Sequence, residues 1–398
     1  EKLIVEDKVL KETILDLCYP RSPFQFDVIE PEILGRIYER FLGSKIRLTE
    51  NHRAKVEEKD EVRHAGGVYY TPEYIVNYIV KETVGKKISN STHNVETGLR
   101  PVFTPEEVSK IKILDPACGS GSFLLGAYQY LLNWHVDYYK SKVIVHKPEA
   151  NGIDCSKKKN PIPSKFKDDF FFDADGEIKL TTKKKGEILV NNIFGVDIDR
   201  EATEVAILSL YLKLLEEGID DDGFLFLKGK VLPDMTNNIK CGNSLISRED
   251  LFSNNMFENS NIKKFDWENE KEGFGKVFAE NKGFDCVIGN PPYIRIQEMQ
   301  KWAKEEVELY KKIYKSGAKG NFDIYILFIE KGLSLLNEKG LIGLILPNKF
   351  LNSSYGEEIR GIISKGKNLS KIVHFGDIQI FEGATTYTCL LFLSRSMQ

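Results

Sequence analysis

The chain has 398 residues, which is long enough for one large domain or two of ordinary size and for a core without covalent cross-links. Its hydrophobic share of 41% and charged share of 29% are typical of globular domains and exclude a wholly disordered chain. The net charge of −3 is unusual for a complete nucleic-acid-binding protein, so either a basic surface is local or part of a binding apparatus is missing from this chain.

Cysteine spacing and the length of apolar runs indicate the compartment. The six cysteines lie far apart without a C-x-x-C pair, and no apolar signal segment precedes the first charged residues. This pattern indicates free thiols in a reducing cytoplasm. No uninterrupted apolar run approaches the roughly 20 residues that cross a bilayer, so we expect no membrane insertion. The sequence predicts no metal site.

Residues 1–66 predict a helical lead-in rather than a sheet, because apolar side chains between Ile33 and Leu42 recur on one helical face. The Gly66-Gly67 pair ends this pattern, and we place a second domain at 67–398. Thr71 is the predicted N-cap of a new amphipathic helix, with Pro72 at its first helical position.

The second domain alternates predicted strands and helices. The predicted strands are 111–114, 193–196, 286–288, 341–346 and 389–393, and the predicted helices begin at about Ser122, run from about 201 to 217, and cover 325–336. This alternation predicts an α/β fold with a parallel, Rossmann-like sheet and helices on both faces. Ligands bind at the carboxyl ends of such strands, so the loops that begin at Asp115, Asp197 and Asn290 should converge on one crevice.

Two polar segments interrupt the alternation and are predicted to be insertions. The segment 140–187 is rich in Lys, Asp and Pro, and it contains a predicted hairpin that turns on Asp175-Gly176. Its lysine runs form either a local basic surface or an ordinary solvated loop. The segment 247–281 is rich in Asn, Glu and Lys and predicts a further loop or insertion.

The segment from Ile113 to Phe123 reads Ile-Leu-Asp-Pro-Ala-Cys-Gly-Ser-Gly-Ser-Phe and predicts a strand, a tight glycine loop and a helix. Glycines let backbone amides approach a ligand closely, and a helix start favours polar oxygens. The loop matches neither G-x-G-x-x-G nor the Walker pattern. A cofactor with an amino-acid tail and no phosphate suits it better.

Polar residues also follow the next predicted strands. Asp197 can accept both hydroxyls of a ribose, while Asp199 is the better candidate for an N-cap of the helix that follows. Asn243, followed by Ser244, supplies a polar amide where the edge of an adenine would lie, although alone this segment would be an ordinary turn.

The tetrapeptide Asn290-Pro291-Pro292-Tyr293 follows another predicted strand. The prolines fix the backbone, so the Asn290 side-chain oxygen and the Pro291 carbonyl can point at one spot and hold an exocyclic amine. Tyr293 offers a face on which a planar base can stack after it leaves a duplex. A rigid proline turn would explain the prolines but not the asparagine and tyrosine.

The order of these motifs resembles the gamma-class N6-adenine DNA methyltransferases, and Gly67-Val68-Tyr69-Tyr70-Thr71-Pro72 together with Leu34-Gly35-Arg36-Ile37-Tyr38-Glu39 resembles the methyltransferase region of type IIG restriction-modification enzymes. The resemblance implies S-adenosyl-L-methionine as cofactor and double-stranded DNA with a flipped adenine as partner. It covers nearly the whole chain.

The resemblance also implies a set of site residues. The implied catalytic residues are Asn290, Pro291, Pro292 and Tyr293, and Tyr293 with Phe381 would stack on the target base. The implied cofactor-binding residues are Tyr70, Thr71, Pro72, Asp115, Ala117, Gly119, Gly121, Phe123, Asp197, Ile198, Asn243 and Ser244. Asn243 stands where many relatives have Asp.

Two alternatives remain open at this stage. The N-P-P-Y tetrapeptide also serves amino methyltransferases that act on RNA or on protein glutamine, and a cofactor-binding scaffold in phage defence would need no catalysis. The type IIG resemblance implies nuclease and target-recognition domains that we do not find in this chain. We therefore expect 1–398 to bind cofactor and to methylate duplex DNA poorly.

Overall fold

The protein is described by a computed structural model. The structure describes residues 6–17, 21–22, 33, 35, 37–38, 44–48, 54–58, 71–89, 103–143, 162–173, 175–216, 232–252, 262–318, 320–381 and 386–395. Within these residues, none of the helices is both long and apolar enough to pass through a membrane.

The strands of the described residues form one large sheet and two small ones. They are β1 (Ser44–Leu48), β2 (Ala54–Glu58), β3 (Ile113–Asp115), β4 (Phe170–Phe172), β5 (Ile178–Leu180), β6 (Ile193–Asp197), β7 (Ile239–Cys241), β8 (Phe284–Gly289), β9 (Leu336–Pro347), β10 (Leu369–His374) and β11 (Thr388–Ser394). The large sheet has seven strands in the order β10-β11-β9-β8-β3-β6-β7.

The large sheet confirms the predicted fold class, with one correction. The five strands β9, β8, β3, β6 and β7 are parallel to one another. β11 runs antiparallel to both β9 and β10, so the sheet is mostly parallel and departs from the predicted parallel pairing only at this edge. β10 and β11 are consecutive strands, and an antiparallel pair needs no helical crossover between its strands, whereas a parallel pair usually does.

Helices and single helical turns connect the strands. They are α1 (Asp7–Leu17), α2 (Glu73–Val80), a π-helical turn (Lys81–Gly85), α3 (Lys86–Ser89), α4 (Pro105–Val108), α5 (Ser122–Lys142), a 3-10 turn (Ser164–Phe166), α6 (Thr182–Asn192), α7 (Arg200–Leu215), α8 (Arg248–Phe252), α9 (Gly275–Asn281), α10 (Ile296–Met299), α11 (Lys304–Ile313), α12 (Tyr325–Leu335), two 3-10 turns (Asn348–Leu351 and Ser354–Gly356) and α13 (Glu357–Lys365).

Two hydrophobic cores lie on opposite faces of the sheet. Ile113 packs into the core that contains buried residues of α2, α5, α6 and α7, whereas its neighbour Leu114 packs into the core that contains buried residues of α11, α12 and α13. Cys286 and Val287 divide in the same way. This alternation follows from the period of two along a strand, and it places helices on both faces as the sequence predicts.

The prediction that 1–66 is helical rather than a sheet was wrong for part of that segment. β1 and β2 pair antiparallel, from Ser44 opposite Glu58 to Leu48 opposite Ala54. The alternation of polar and apolar residues in Ser44-Lys45-Ile46-Arg47-Leu48 favours a strand, and the helical pattern that precedes it obscured this short signal.

The interpretation of 247–281 as a loop was also wrong, whereas its interpretation as an insertion stays a prediction. This segment contains α8 and α9, and it contributes Phe265, Trp267 and Phe274 to the second core. The three rings pack against one another at centroid distances between 4.8 and 6.0 Å. These aromatics are spread among polar residues without helical or strand periodicity, so the sequence pattern hid their burial.

The predicted hairpin within 140–187 is confirmed, since β4 and β5 pair antiparallel around Asp175-Gly176. Gly176 has a φ of +79°, which suits the turn. The hairpin packs into the first core through Phe170, whose ring lies 5.0 Å from that of Tyr139 on α5. The Lys157–Lys159 run falls outside the described residues.

Replacing Trp267 by Ala tests whether the aromatic cluster belongs to the core. Trp267 is 5% exposed, so we expect Trp267→Ala to lower the free energy of unfolding by about 3–5 kcal/mol. Trp302→Ala is the matched control, because Trp302 is 45% exposed and its loss should cost within about 0.5 kcal/mol. Denaturant unfolding measures both values, and equal small losses would contradict the core assignment.

Candidate active site

The predicted site residues meet at the carboxyl edge of three neighbouring strands. β3 lies between β8 and β6, so Asp115, Asp197 and the residue after Gly289 end their strands side by side. From β3 the chain continues to β6 and β7 on one side and later to β8 and β9 on the other. A crevice forms where strand order reverses in this way, and the predicted convergence of the three loops is therefore supported by the topology.

The glycine loop is held against the end of β6 by backbone hydrogen bonds. The Cys118 amide donates to the Val196 carbonyl at 3.0 Å, and the Gly119 amide donates to Asp197 Oδ2 at 2.8 Å. Gly119 and Gly121 have φ values of +50° and +92°, a region that favours glycine. The side chain of Phe123 is buried in the first core, and its role as a cofactor contact stays a prediction.

Two carboxylates lie beside this loop, and burial disfavours their charged forms. Asp115 Oδ1 accepts the Ala117 amide at 3.0 Å, yet burial, reinforced by the nearby Asp197, raises the pKa of Asp115 to about 8. Burial also raises the pKa of Asp197, although its oxygens accept amides from Gly119 and Asp199. The edge of the sheet therefore favours a ligand that brings positive charge or hydrogen-bond donors.

Asp199 caps α7, as the sequence predicts. Its Oδ1 accepts the Glu201 amide at 3.0 Å. The ribose role of Asp197 stays a prediction, and Ile198, which lies between these two acids, is 46% exposed at the mouth of the same loop.

The turn after β7 adjoins β6, where the Gly242 amide donates to the Asp197 carbonyl at 2.8 Å. Ser244 Oγ donates to the Pro116 carbonyl at 2.5 Å and ties the turn to the glycine loop. Asn243 is buried, and its Nδ2 donates to Tyr310 Oη at 2.9 Å. The structure thus brings Asn243 and Ser244 to the loop of Asp115, as expected, and adds a tyrosine from α11.

Asn290 follows β8 directly and contacts the start of α2. Its Nδ2 donates to Thr71 Oγ1 at 3.2 Å, although 219 positions separate the two residues. The predicted N-cap role of Thr71 was wrong: α2 begins at Glu73 with Pro72 as N-cap, and no side chain caps it. The Pro72 carbonyl accepts the Ile75 and Val76 amides, so the Thr71 hydroxyl points to the site instead.

The aromatic pair predicted for the target base lies in contact. Tyr293 and Phe381 have ring centroids 6.4 Å apart with an angle of 66° between their planes. Tyr293 Oη donates to the Ile345 carbonyl at 3.1 Å, which anchors its ring to β9. Phe381 is 4% exposed and packs in the first core, so a base could enter between the rings only after one of them moves.

Sequence reasoning missed several residues that reach this edge from distant segments. Tyr38 Oη donates to Asp199 Oδ2 at 3.4 Å, and a methyl group at Gly35 would lie 3.0 Å from Ser120 Oγ. The Leu34–Glu39 motif carried a family resemblance but no signal of these contacts. Tyr70, another predicted cofactor contact, lies outside the described residues.

The site chemistry fits a nucleoside cofactor without phosphate. Asp115 and Asp197 are carboxylates, Asn243 is an amide, and none of the predicted cofactor residues is basic. The glycine loop presents its backbone close to the strand ends, where a bulkier residue could not follow its φ values. Carboxyl groups accept hydrogen bonds from ribose hydroxyls and from an ammonium group, whereas a phosphate would find no basic partner among these predicted residues.

Gly289→Ala tests whether the end of β8 shapes this crevice. Gly289 has a φ of +152°, and a Cβ there would lie 2.6 Å from Asp115 Oδ1. The substitution must therefore strain the backbone and displace Asp115, and we expect cofactor affinity to fall on the order of tenfold, for a cost of about 1–3 kcal/mol. Equilibrium dialysis with labelled S-adenosyl-L-methionine measures the change.

Gly361→Ala on α13 is the control for this test, because a Cβ at Gly361 has no described atom within 4 Å. Its cofactor affinity should match that of the unmodified protein. An unchanged affinity in a folded Gly289→Ala variant would show that the end of β8 does not shape the binding crevice.

Comparisons with known proteins show that the chain is similar to DNA methylases. Residues 191–381 match the family "Eco57I restriction-modification methylase", and residues 30–152 match "N-6 DNA Methylase". The chain is 34% identical over 393 residues to the type II restriction enzyme and methyltransferase RM.Eco57I of Escherichia coli, covering 96% of this chain and 33% of that protein.

It is also 27% identical over 216 residues to the type II methyltransferase M.BanIII of Aneurinibacillus aneurinilyticus, which covers 53% of this chain and 30% of that protein. The chain thus spans about a third of the length of these curated relatives. Among solved structures, the type IIL restriction-modification enzyme MmeI, solved in complex with DNA, shares the fold with a TM-score of 0.53 at 14% identity, covering 99% of this chain and 43% of MmeI. The chain is thus similar to adenine-specific DNA methylases of restriction-modification systems.

Proposed function

We propose that the chain is the catalytic region of a site-specific DNA methyltransferase that transfers a methyl group from S-adenosyl-L-methionine to N6 of a flipped-out adenine. The observation that carries the proposal is the hydrogen bond from Asn290 Nδ2 to Thr71 Oγ1. It fixes the side-chain amide, so that the oxygen of Asn290 faces away from Thr71 at the end of β8. The DNA substrate is inferred from relatives that are named type II methyltransferases.

Asn290 and Pro291 would act on the substrate amine. The lone pair of an aromatic amine is shared with its ring, so the amine is a poor nucleophile. The Asn290 side-chain oxygen and the Pro291 carbonyl would each accept a hydrogen bond from the amine. These two hydrogen bonds would favour the amine geometry in which the lone pair is no longer shared with the ring. Pro291 and Pro292 restrict the backbone and hold both acceptors in place.

When bound, S-adenosyl-L-methionine supplies an electrophilic methyl group, which moves to the nitrogen as the carbon–sulfur bond breaks and leaves its electrons on sulfur. Asp197 would accept the ribose hydroxyls, and Asp115 with the glycine loop would hold the amino-acid end. The methylated nitrogen then loses one proton to solvent, so no covalent bond to the protein is needed.

The base would stack on Tyr293 after it leaves the duplex. The hydrogen bond from Tyr293 Oη to the Ile345 carbonyl fixes the position of the ring against β9. Removing a base from the duplex stack costs a few kcal/mol, and stacking on the Tyr293 ring would offset part of this free energy. Phe381 would contribute a second face if its ring turns from the edge contact with Tyr293.

Asn290→Ala tests the proposal directly. The substitution removes one of the two acceptors, so we expect the rate of methyl transfer to DNA to fall by about 10²–10³-fold. Cofactor affinity should stay within about threefold, since the backbone of the glycine loop is untouched. Single-turnover transfer of labelled methyl groups to DNA that lacks N6-methyladenine measures the rate, and excess enzyme makes slow transfer visible.

Asn133→Ala is the control for that experiment. Asn133 is exposed on α5, where it accepts a hydrogen bond from Gln129, and its loss should leave the rate unchanged. Transfer by Asn290→Ala at the unmodified rate would refute the catalytic role of this residue.

A further inference from the structure

A chain of three side chains fixes Asn243 at the end of β7. Asn243 Nδ2 donates to Tyr310 Oη at 2.9 Å, and Tyr310 Oη donates to Glu306 Oε2 at 3.3 Å. Glu306 Oε2 also lies 3.5 Å from Asn243 Nδ2. Tyr310 and Glu306 both belong to α11, more than 60 positions along the chain from Asn243.

These contacts permit only one orientation of the Asn243 amide. Its Oδ1 accepts the Leu245 amide at 3.0 Å, while its Nδ2 faces Tyr310 and Glu306. A reversed amide would set its Nδ2 against the Leu245 N–H, donor against donor, and its Oδ1 against the Glu306 carboxylate, acceptor against acceptor. Asn243 and Tyr310 are buried, so each lost hydrogen bond would leave a polar group unsatisfied.

Glu306 sets the direction of the chain. Burial and the nearby Glu306 raise the pKa of Tyr310, so its hydroxyl stays protonated and donates a hydrogen bond to Glu306. Burial also raises the pKa of Glu306, while this hydrogen bond and the nearby Lys263 favour its charged form. The lone pairs of Tyr310 Oη therefore face Asn243 and accept its Nδ2. A neutral partner at position 306 could reverse the Tyr310 hydroxyl, because an uncharged amide both donates and accepts.

We propose that Tyr310 and Glu306 are positioning residues that present Asn243 Oδ1 to the exocyclic amine of the cofactor's adenine and so select an adenine base over one with a carbonyl there. An amide oxygen has two lone pairs, and among the described residues Leu245 supplies the one hydrogen bond seen at Oδ1, which leaves an acceptor for the amine. This inference rests on the proposed function, because it places the adenosine of S-adenosyl-L-methionine beside the turn after β7.

The location of the turn supports this assignment. Gly242 bonds to the Asp197 backbone, and Ser244 bonds to Pro116, so Asn243 lies between the two loops that would hold the ribose and the amino-acid tail. α11 supports the same turn a second time, since Tyr314 Oη donates to the Leu245 carbonyl at 2.7 Å. Tyr314 donates to a backbone carbonyl of this turn, whereas Tyr310 accepts from the Asn243 side chain. Tyr310 can therefore orient the Asn243 amide, while Tyr314 can only support the turn.

The experiment compares the dissociation constants of S-adenosyl-L-homocysteine and S-inosyl-L-homocysteine for the full chain by calorimetry. Inosine carries a carbonyl in place of the amine, so the unmodified protein should bind the adenosyl ligand at least about tenfold more tightly. Tyr310→Phe removes the shortest of the three hydrogen bonds that orient the amide, so the reversed amide, which would donate to the inosine carbonyl, becomes less unfavourable. We expect the ratio of the two dissociation constants to fall about fivefold or more.

Tyr314→Phe is the matched control, and its ratio should stay unchanged even if the protein is less stable. Asn243→Asp provides a second control, because a carboxylate accepts at both oxygens. Adding Tyr310→Phe to Asn243→Asp should therefore leave the ratio unchanged. Glu306→Gln gives an independent route should Tyr310→Phe fail to fold, and its ratio should fall in the same direction.

Equal weakening of both ligands by Tyr310→Phe or Glu306→Gln would overturn the inference, because packing alone acts on both alike. If the unmodified protein binds both ligands without preference, the inference also fails while the proposed function stands. If the unmodified protein binds neither ligand, the proposed function fails, and the inference fails with it.

Discussion

The carboxylate of Asp197 joins the two segments on which the site depends. It accepts the Gly119 amide at 2.8 Å and the Asp199 amide at 2.8 Å, and so it closes the glycine loop onto the end of β6. Asp199, held by this contact, caps α7 and receives the Tyr38 hydroxyl. Burial raises the pKa values of Asp197 and Asp115, because it removes the solvent that would stabilise their charged forms. Desolvated carboxyl groups with raised pKa values are typical of functional sites, where a complementary ligand can pair with them.

Two asparagines give the site its selectivity in this account, and each is oriented by a hydroxyl group. Thr71 accepts from Asn290 Nδ2, and Tyr310 accepts from Asn243 Nδ2. An asparagine amide can present an acceptor or two donors, so its orientation decides what it recognises. Both hydroxyls come from segments distant in sequence, the start of α2 and the middle of α11. Adenine recognition at the cofactor and at the target base would then both use an asparagine amide that a hydroxyl group orients, one after β7 and one after β8.

The sequence contained much of the fold, because the strands of the sheet are short apolar runs bounded by turn signals. The glycine loop, the Asp197 strand and the N-P-P-Y turn could be predicted since each is a local motif. The hairpin of β1 and β2 could not, because five residues of alternation carry little signal beside a helical pattern. Trp267 and Phe274 lie in a polar segment without periodicity. The partners Thr71 and Tyr310 depend on how helices pack at the sheet edge, which a local pattern does not encode.

The most direct test of the central claim is to identify the atom that receives the methyl group. The protein would be incubated with isotopically labelled S-adenosyl-L-methionine and, in parallel, with unmethylated duplex DNA, ribosomal RNA and a translation release factor. Mass spectrometry of the digested products then locates the label. The account predicts label on N6 of adenine in DNA, where Asn290 and Pro291 would hold the amine. Label confined to a guanine of the RNA or to a glutamine of the protein would contradict it.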